Sequence, residues 1–437
     1  MSGRRTAKPR PRPVARHGRL RRGGIARAIV GLVAGALAVV LVASVSVAAI
    51  AVSQLTGDVT SNTVHLAHID GATAPPGVDA IQGGVNMLIV GTDTRTGQSG
   101  FQDRQDLAGS SGAGNNDVTI LVHIAQDHQS ALIVSFPRDL MIPVPACPNP
   151  KGGTYGSSSI AMLNSTLSRG GLSCPVLTIE NLTGIDIPYA ASISFDGVAS
   201  MADAVGGVTV CVGSPIDDPY VGLTLPAGDS TISGGEALAF LRSRHGVGDG
   251  SDLGRISNQQ VYLSALARKV KSNGVLTNPL KLYALAKAAT SSMQLSDSLG
   301  HLDTMVAIAL ALKSIPLQNV AMIQYPVGSS PLYPNRVVPS SVGDNAVKQA
   351  LQNDQRVVLT GTTGRGATLA PGQTAVPTPA PTATTAPPAG AASGTATPVP
   401  TPTADNSIAL PSSVQGQSAD QQTCSKGNVL HGPVAGG

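Results

Sequence analysis

The chain lacks the usual signatures of hydrolytic and nucleotide-driven chemistry. It has no GxSxG, no SxxK, no P-loop GKS/T and no HExxH, so serine hydrolase, NTPase and zinc protease readings start without support. Its 4 cysteines, Cys147, Cys174, Cys211 and Cys424, show no CxxC or zinc-ligand spacing. Acid is missing from the first 27 residues, where ten Lys or Arg residues lie between Arg4 and Arg27. With 29 Lys and Arg in all against 25 Asp and Glu, removing that arm leaves the rest of the chain net acidic, although the whole is +4.

Charge is absent altogether from Ala28 to Val52. As a helix rising about 1.5 Å per residue this stretch covers roughly 37 Å, enough to cross a hydrocarbon core of about 30 Å. The pattern predicts a cytoplasmic basic arm over 1–27 and a transmembrane helix over 28–52, with everything after Val52 outside by the positive-inside rule. The small residues of Ala43–Ala51 offer signal-peptidase cleavage as an alternative, but the apolar run exceeds an h-region of about 7–15 residues. Nucleic-acid binding by the arm is the other alternative. The adjoining apolar span argues against it, so no nucleic-acid partner is expected. All four cysteines then lie on the exported side, where disulfides persist. Three pairings are open; Cys147 with Cys174 is favoured because they bracket a Gly/Ser-rich loop.

The 32 prolines and 50 glycines are unevenly spread, which favours one sizeable domain over two or three. Residues 53–80 read as a stalk, broken by Asp70-Gly71 and Pro75-Pro76-Gly77. From Gly83 short apolar runs alternate with helical patterns. Val85–Val90, Val118–Ile124, Ala131–Ser135 and Val320–Tyr325 read as strands. Pro175–Thr183, Phe195–Val205, Gly234–Leu241, Ile256–Lys271, Lys281–Ala289 and Asp303–Lys313 read as helices. Such mixing predicts a single α/β domain, layered α/β/α around a mixed sheet, over 81–362. Residues 363–437, rich in Pro, Thr and Ala, are expected to be a disordered tail that buries too little to aid folding.

Asp and Arg recur beside predicted strand and helix ends, where ligand crevices of open α/β sheets lie. Asp93 and Arg95 follow the first strand, Asp117 precedes the second, and Arg138-Asp139 follow Ser135-Phe136-Pro137. Arg242, Arg244, Asp252, Arg255 and Gln259 form the densest group, with Arg255 and Gln259 four apart on one helix face. Individually these read as surface ion pairs, helix caps or a solvated face. Together, five arginines suit phosphate oxygens, because the guanidinium fork binds them bidentately, and two carboxylates can hold a Mg²⁺ bridging the same oxygens.

The ordered set resembles the LytR-CpsA-Psr family of cell-wall glycopolymer ligases. The resemblance runs over about 85–362 through Gly91-x-Asp93-x-Arg95, Asp117, Ser135 to Asp139, Asn164 to Gly171 and Thr183-Gly184-Ile185. It continues through Val205 to Val208, Gly234 to Leu238 and Arg242 to Gln260. It implies that Asp93 and Asp117 bind the metal, Mg²⁺ with Mn²⁺ as the alternative. Arg95, Arg138, Arg242, Arg244 and Arg255 would clamp a diphosphate, supported by Asp252 and Gln259, with Asp93, Arg138 and Arg255 closest to the chemistry. The implied reaction is phosphoryl transfer at the cytoplasmic membrane's outer face: a muramic-acid C6 hydroxyl of peptidoglycan attacks the glycan-proximal phosphorus of a polyprenyl-diphosphate-linked glycan, and polyprenyl phosphate leaves. The lipid would lie in an apolar groove, and Asp93 is a candidate for accepting the hydroxyl proton. Two positions depart from the family pattern: Asn258 stands before the paired glutamines where an Arg is usual, and Met162 stands where a basic residue often precedes Leu-Asn. They favour, as alternative, a non-catalytic receptor for the lipid diphosphate. A DNA-binding regulator is disfavoured by the exported topology.

Overall fold

The computed structural model describes residues 57, 63–67, 84–96, 98, 110, 112–272, 279–373 and 406–428. The expected basic arm and transmembrane helix lie outside them. Among the described residues no helix is long and apolar enough to cross a membrane. The strands used below are β1 (Thr63–Val64), β2 (Val85–Thr92), β3 (Asn116–Ile124), β4 (Ala131–Phe136), β5 (Tyr189–Ile193), β6 (Val208–Val212), β7 (Gly228–Ile232), β8 (Met293–Ser296), β9 (Val320–Gln324), β10 (Val327–Ser329), β11 (Val337–Pro339), β12 (Ala367–Leu369), β13 (Gly416–Ser418) and β14 (Thr423–Ser425). The helices are α1 (Ser173–Thr183), α2 (Phe195–Ala204), α3 (Gly234–Arg242), α4 (Asp252–Ser272), α5 (Pro279–Ser292), α6 (Leu302–Ser314) and α7 (Ser341–Gln352).

An eight-stranded mixed sheet runs in the order β1-β8-β5-β2-β3-β4-β9-β13. Its central strands alternate in the two-residue period that sends successive side chains to opposite faces. Leu88, Val90, Leu121, Val134 and Phe136 pack on one face with Val176 and Ile179 of α1 and Val347 and Leu351 of α7. Ile89, Ile120, Val122 and Ile133 pack on the other with Ile308 and Ala311 of α6 and Leu263 of α4. Burial on both sides explains why these runs are almost continuously apolar. The layered α/β expectation therefore matches. A smaller sheet, β7-β6-β14-β12, backs a third cluster in which Val208, Val210, Phe240 of α3 and Tyr262 of α4 meet.

Two boundaries expected from sequence are corrected. Thr63 and Val64, within the expected stalk, pair in parallel with Leu295 and Ser296, and Leu66 is buried in the core. Residues 406–428 of the expected disordered tail also return to the domain. β13 pairs with β9 through Met322↔Gln417, β14 lies parallel to β6, and Ser407–Ala409 pairs with Arg356–Val358. A Cys211–Cys424 disulfide joins segments 213 residues apart, alongside the favoured Cys147–Cys174 bridge. Averaging composition over the whole tail hid these strands, because the Pro/Thr-rich stretch stops before Asn406 and their partners lie far away in sequence.

Removing residues 406–437 should thus destabilise the fold by more than the about 2–5 kcal/mol typical of losing one native disulfide. A chemical-denaturation midpoint unchanged from that of the full chain would refute this. A second expectation concerns Glu180 of α1, whose Oε1 accepts the Ile187 N–H at 2.8 Å. Burial pushes its carboxyl from 4.5 up to about 7, opposed by the Ile187 bond and aided by Asp186. The folded chain therefore prefers the protonated form. The associated stability is full below 4.5 and is lost as pH rises through about 7. Glu180→Gln should match the native chain near pH 4.5 and exceed it by roughly 3 kcal/mol at high pH; parallel stability curves would contradict the assignment.

Candidate active site

Strand directions bring five loops to one edge of the sheet. Gly91 near the end of β2 faces Ile193 at the end of β5 and Val118 near the start of β3. Thr119 faces Phe136 at the end of β4, whose Ser135 faces Gln324 at the end of β9. Asp93, Asp117, Arg138, Phe195 and Val327 thus emerge together, and α4 presents its first turn to the same edge.

There Asp117, Arg138, Asp252 and Arg255 form one ion-pair lattice. Arg138 Nη1 donates to Asp117 Oδ1 at 2.9 Å, and the Arg138 backbone N–H donates to Asp252 Oδ2 at 3.2 Å. Arg255 Nη2 lies 2.6 Å from Asp252 Oδ1 and donates to the Asp117 carbonyl oxygen at 2.6 Å; its Nη1 is 4.0 Å from Asp117 Oδ2. Asp252 and Arg255 are only 7% and 6% exposed. Burial works to lower the Arg138 pKa, but Asp117, then Asp252 and Asp139, outweigh it and the net shift is upward.

Arg242 and Arg244 differ: among the described residues neither makes an ion pair. Arg242 lies over the Phe195 ring, 4.2 Å from its centroid. Burial depresses its pKa, as do Arg95 and Arg255, with Asp117 and Asp93 opposing. Arg244 is depressed by burial, Arg138 and Arg255. Arg244 Nη2 lies 3.2 Å from His245 Nε2, and both guanidiniums, repelled by Arg255 and without a carboxylate partner among the described residues, favour a bound anion. Their loop is held by Asp218, whose buried Oδ2 accepts from Ser243 Oγ, Arg244 N and Gly246 N at 2.8–3.0 Å. Sequence reasoning missed Asp218, because an isolated Asp at a short strand's end carries no signal of a partner some 25 residues on.

These arginines rim a cavity of about 370 Å³. Its walls are apolar: Ile89, Val118 and Ile120 from the sheet, Phe195 and Val198 from α2, Leu238 and Leu241 from α3, and Leu263 from α4. Asp117, Arg138, Arg242, Arg244, Arg255 and Gln259 make it polar at one end. Gln259, buried, also donates to the Leu241 carbonyl at 3.0 Å, tying α4 to α3. Asp93 and Arg95 do not line this cavity. Asp93 Oδ1 accepts from Ser110 Oγ at 2.5 Å and Asn115 N at 2.6 Å, so it organises the loop before β3. Gly114 is required there: at φ +69° its missing Cβ would sit 2.8 Å from Asp93 Oδ1.

The residues expected to bind magnesium fit that ion when it is shared with substrate oxygens. Among the described residues Asp117 Oδ2 has only the 4.0 Å contact with Arg255, and Asp93 Oδ2 only a 3.2 Å bond from Asn115 Nδ2, so each carboxylate keeps acceptor capacity there. Both act on the ionisation of Arg242. Among the described residues no group of three or more His, Cys, Asp or Glu could hold a metal; Mg²⁺ is commonly held by one or two carboxylates plus phosphates. Neither of the two departures from the family pattern lines the cavity. Asn258 points into the core, donating to the Phe240 carbonyl at 2.7 Å and accepting from Ser425, and Met162 pairs with Met141 in a separate hairpin. Arg169, a conceivable substitute, donates to the Gly156 carbonyl instead.

The LytR_cpsA_psr family profile matches residues 50–356. The chain belongs to the LytR-CpsA-Psr family. Among its relatives, "Cell wall biosynthesis protein LcpA" of Corynebacterium glutamicum is 32% identical over 271 residues, 57% of this chain and 51% of that protein. "Probable cell wall biosynthesis protein LcpB" of the same organism is 30% identical over 333 residues, 74% and 73% of the two chains. "Polyisoprenyl-teichoic acid--peptidoglycan teichoic acid transferase TagT" of Bacillus subtilis is 25% identical over 338 residues, 74% of this chain and 94% of that one. The match to LcpA thus spans about half of that relative's length. Within this LytR-CpsA-Psr domain, Asp252→Ala would strand Arg255 and Arg138 without their buried partner. The expected loss is about 3–5 kcal/mol of unfolding free energy, read from denaturation at unchanged slope; a loss under 1 kcal/mol would mean the lattice is not a buried one.

Proposed function

We propose that this chain is a membrane-anchored transferase facing outward from the cell. It would move a phosphate-linked glycopolymer from a polyprenyl-diphosphate carrier to the muramic-acid C6 hydroxyl of peptidoglycan, leaving a phosphodiester. The observation that carries the reading is the pairing of two chemistries in one cavity: apolar walls suited to a prenyl chain, and a mouth ringed by Arg138, Arg242, Arg244 and Arg255 suited to a diphosphate. The teichoic acid transferase title of the Bacillus subtilis relative supports the same class. Arg242 and Arg244 would hold the diphosphate, while Arg138 and Arg255, kept rigid by Asp117 and Asp252, would meet the charge that builds in the transition state. A Mg²⁺ held by Asp93 and Asp117 would supply further neutralisation of the phosphate oxygens. The basic arm and the apolar segment Ala28–Val52 support the anchoring. The rival, a receptor that binds the lipid without turnover, draws on the pairing of Arg138 and Arg255 to carboxylates.

Incubating the protein with a polyprenyl-diphosphate glycan, Mg²⁺ and peptidoglycan oligomers separates the two: transfer is expected, and binding without turnover would favour the receptor. Asp93→Ala and Asp117→Ala should each abolish metal-dependent turnover, with poor rescue by excess Mg²⁺. Arg255→Lys keeps the charge but loses the planar fork, so transfer should fall by ~10²-fold while lipid binding largely survives. Wild-type rates in all three variants would remove this cluster from the chemistry.

A further inference from the structure

A second, polar cleft of about 730 Å³ opens on the other side of the same arginines. Its walls come from the β10–β11 hairpin, through Gly328, Ser329, Asn335 and Arg336, and from the first turn of α4 and the loop before it. Arg138 and Arg244 line both this cleft and the apolar cavity, which places these two residues at the partition between them. A diphosphate seated at the partition would have its lipid-side phosphate toward the apolar cavity. In-line displacement places the attacking oxygen opposite the leaving oxygen. When polyprenyl phosphate leaves toward the apolar cavity, the acceptor must approach from the polar cleft.

Asp139 sits in that approach. Its backbone carbonyl accepts the Val337 N–H at 3.4 Å, fixing it beside the hairpin. Its side chain lines the cleft, and its Oδ1 is buried without a hydrogen-bond partner. Burial, then Asp252, raises its pKa, while a bond to its own backbone, Arg336 and Arg138 oppose. Across the cleft Arg365 is held by Asp249 at 2.8 Å, whereas Arg336 makes no ion pair among the described residues. Asp93, the candidate proton acceptor by sequence, lines neither cavity, and its Oδ1 accepts from Ser110 and Asn115.

We infer that the polar cleft is the acceptor subsite, taking a glycan that bears hydroxyls and peptide carboxylates, and that the Asp139 carboxylate receives the proton of the attacking hydroxyl. This rests on the transferase reading above. The hydroxyl oxygen forms a bond to the glycan-side phosphorus as its proton passes to Asp139. The bond from that phosphorus to the bridging oxygen breaks, and the electron pair leaves with polyprenyl phosphate. Asp139 then returns the proton to solvent through the cleft. Arg336 is placed to meet a carboxylate of the acceptor, and Ser329 and Asn335 to meet its hydroxyls.

Two variants of the full-length chain in detergent test this, with donor binding and transfer to peptidoglycan oligomers measured separately. Asp139→Asn should lower single-turnover transfer by about 10²-fold or more and leave donor Kd within about twofold, and Asp139→Glu should recover part of the rate. Gly328 is exposed on β10, and a Cβ there would meet nothing within 4 Å. Gly328→Trp should therefore fold normally and obstruct the cleft, raising the acceptor KM at least about tenfold without changing donor Kd. Near-native transfer by Asp139→Asn, a donor Kd that weakens in step with its rate, or an unchanged acceptor KM in Gly328→Trp would each overturn the inference while leaving the transferase reading intact. Donor binding with no transfer by the native chain would overturn both.

Discussion

Two guanidiniums and two carboxylates, Arg138, Arg255, Asp117 and Asp252, neutralise one another where β3, the end of β4 and the start of α4 meet. Arg255 and Asp252 are too poorly solvated to stand alone, because an unpaired charge in such surroundings costs several kcal/mol. The lattice therefore ties the start of α4 to the sheet edge. Being internally balanced, it leaves the positive charge of Arg242 and Arg244 uncompensated at the cavity mouth. Positive potential concentrated beside apolar walls is what an amphiphilic anion requires.

The helix carrying Asp252, Arg255 and Gln259 is braced from behind by the end of the chain. Ser425 donates to Asn258, Gln417 Nε2 donates to the Gln260 carbonyl at 3.0 Å and to Ser264 Oγ at 2.6 Å, and Arg268 donates to the Ala419 and Gln421 carbonyls. The contact is close enough that Gly366 admits no side chain, since a Cβ there would stand 2.1 Å from the Gly254 carbonyl. Residues 406–428 thus support the helix that carries the site while lining neither cavity. It also accounts for Asn258: at 0% exposure and hydrogen-bonded to both neighbours, that position serves the brace, and a charged residue there would have no solvent.

The two cavities offer different environments, one largely apolar and one polar. Apolar area removed from water stabilises a buried hydrocarbon by roughly 25 cal/mol per Å², while glycans are held by hydroxyl and amide groups that remain partly wet. Arg138 and Arg244, which line both, bring to the junction of these regimes groups that would suit a phosphate.

Much of the layered domain and most of the site's membership could be read from the chain alone. The apolar runs at Val85, Val118, Ala131 and Val320 were long and regular enough to define strands. Asp117, Arg138, Arg242, Arg244, Asp252, Arg255 and Gln259 stood out because charged residues are otherwise sparse beside such runs. Local pattern could not say how those charges divide. Asp117 and Asp252 neutralise Arg138 and Arg255, Arg242 and Arg244 stay unpaired, and Asp93 turns to its own loop; these outcomes depend on distances between segments up to 138 residues apart. The same limit hid Asp218, the Thr63–Val64 strand and the strands after Asn406, whose partners are all remote. Periodicity and composition report what a residue wants to be near; only the tertiary structure decides which of several suitable partners it meets.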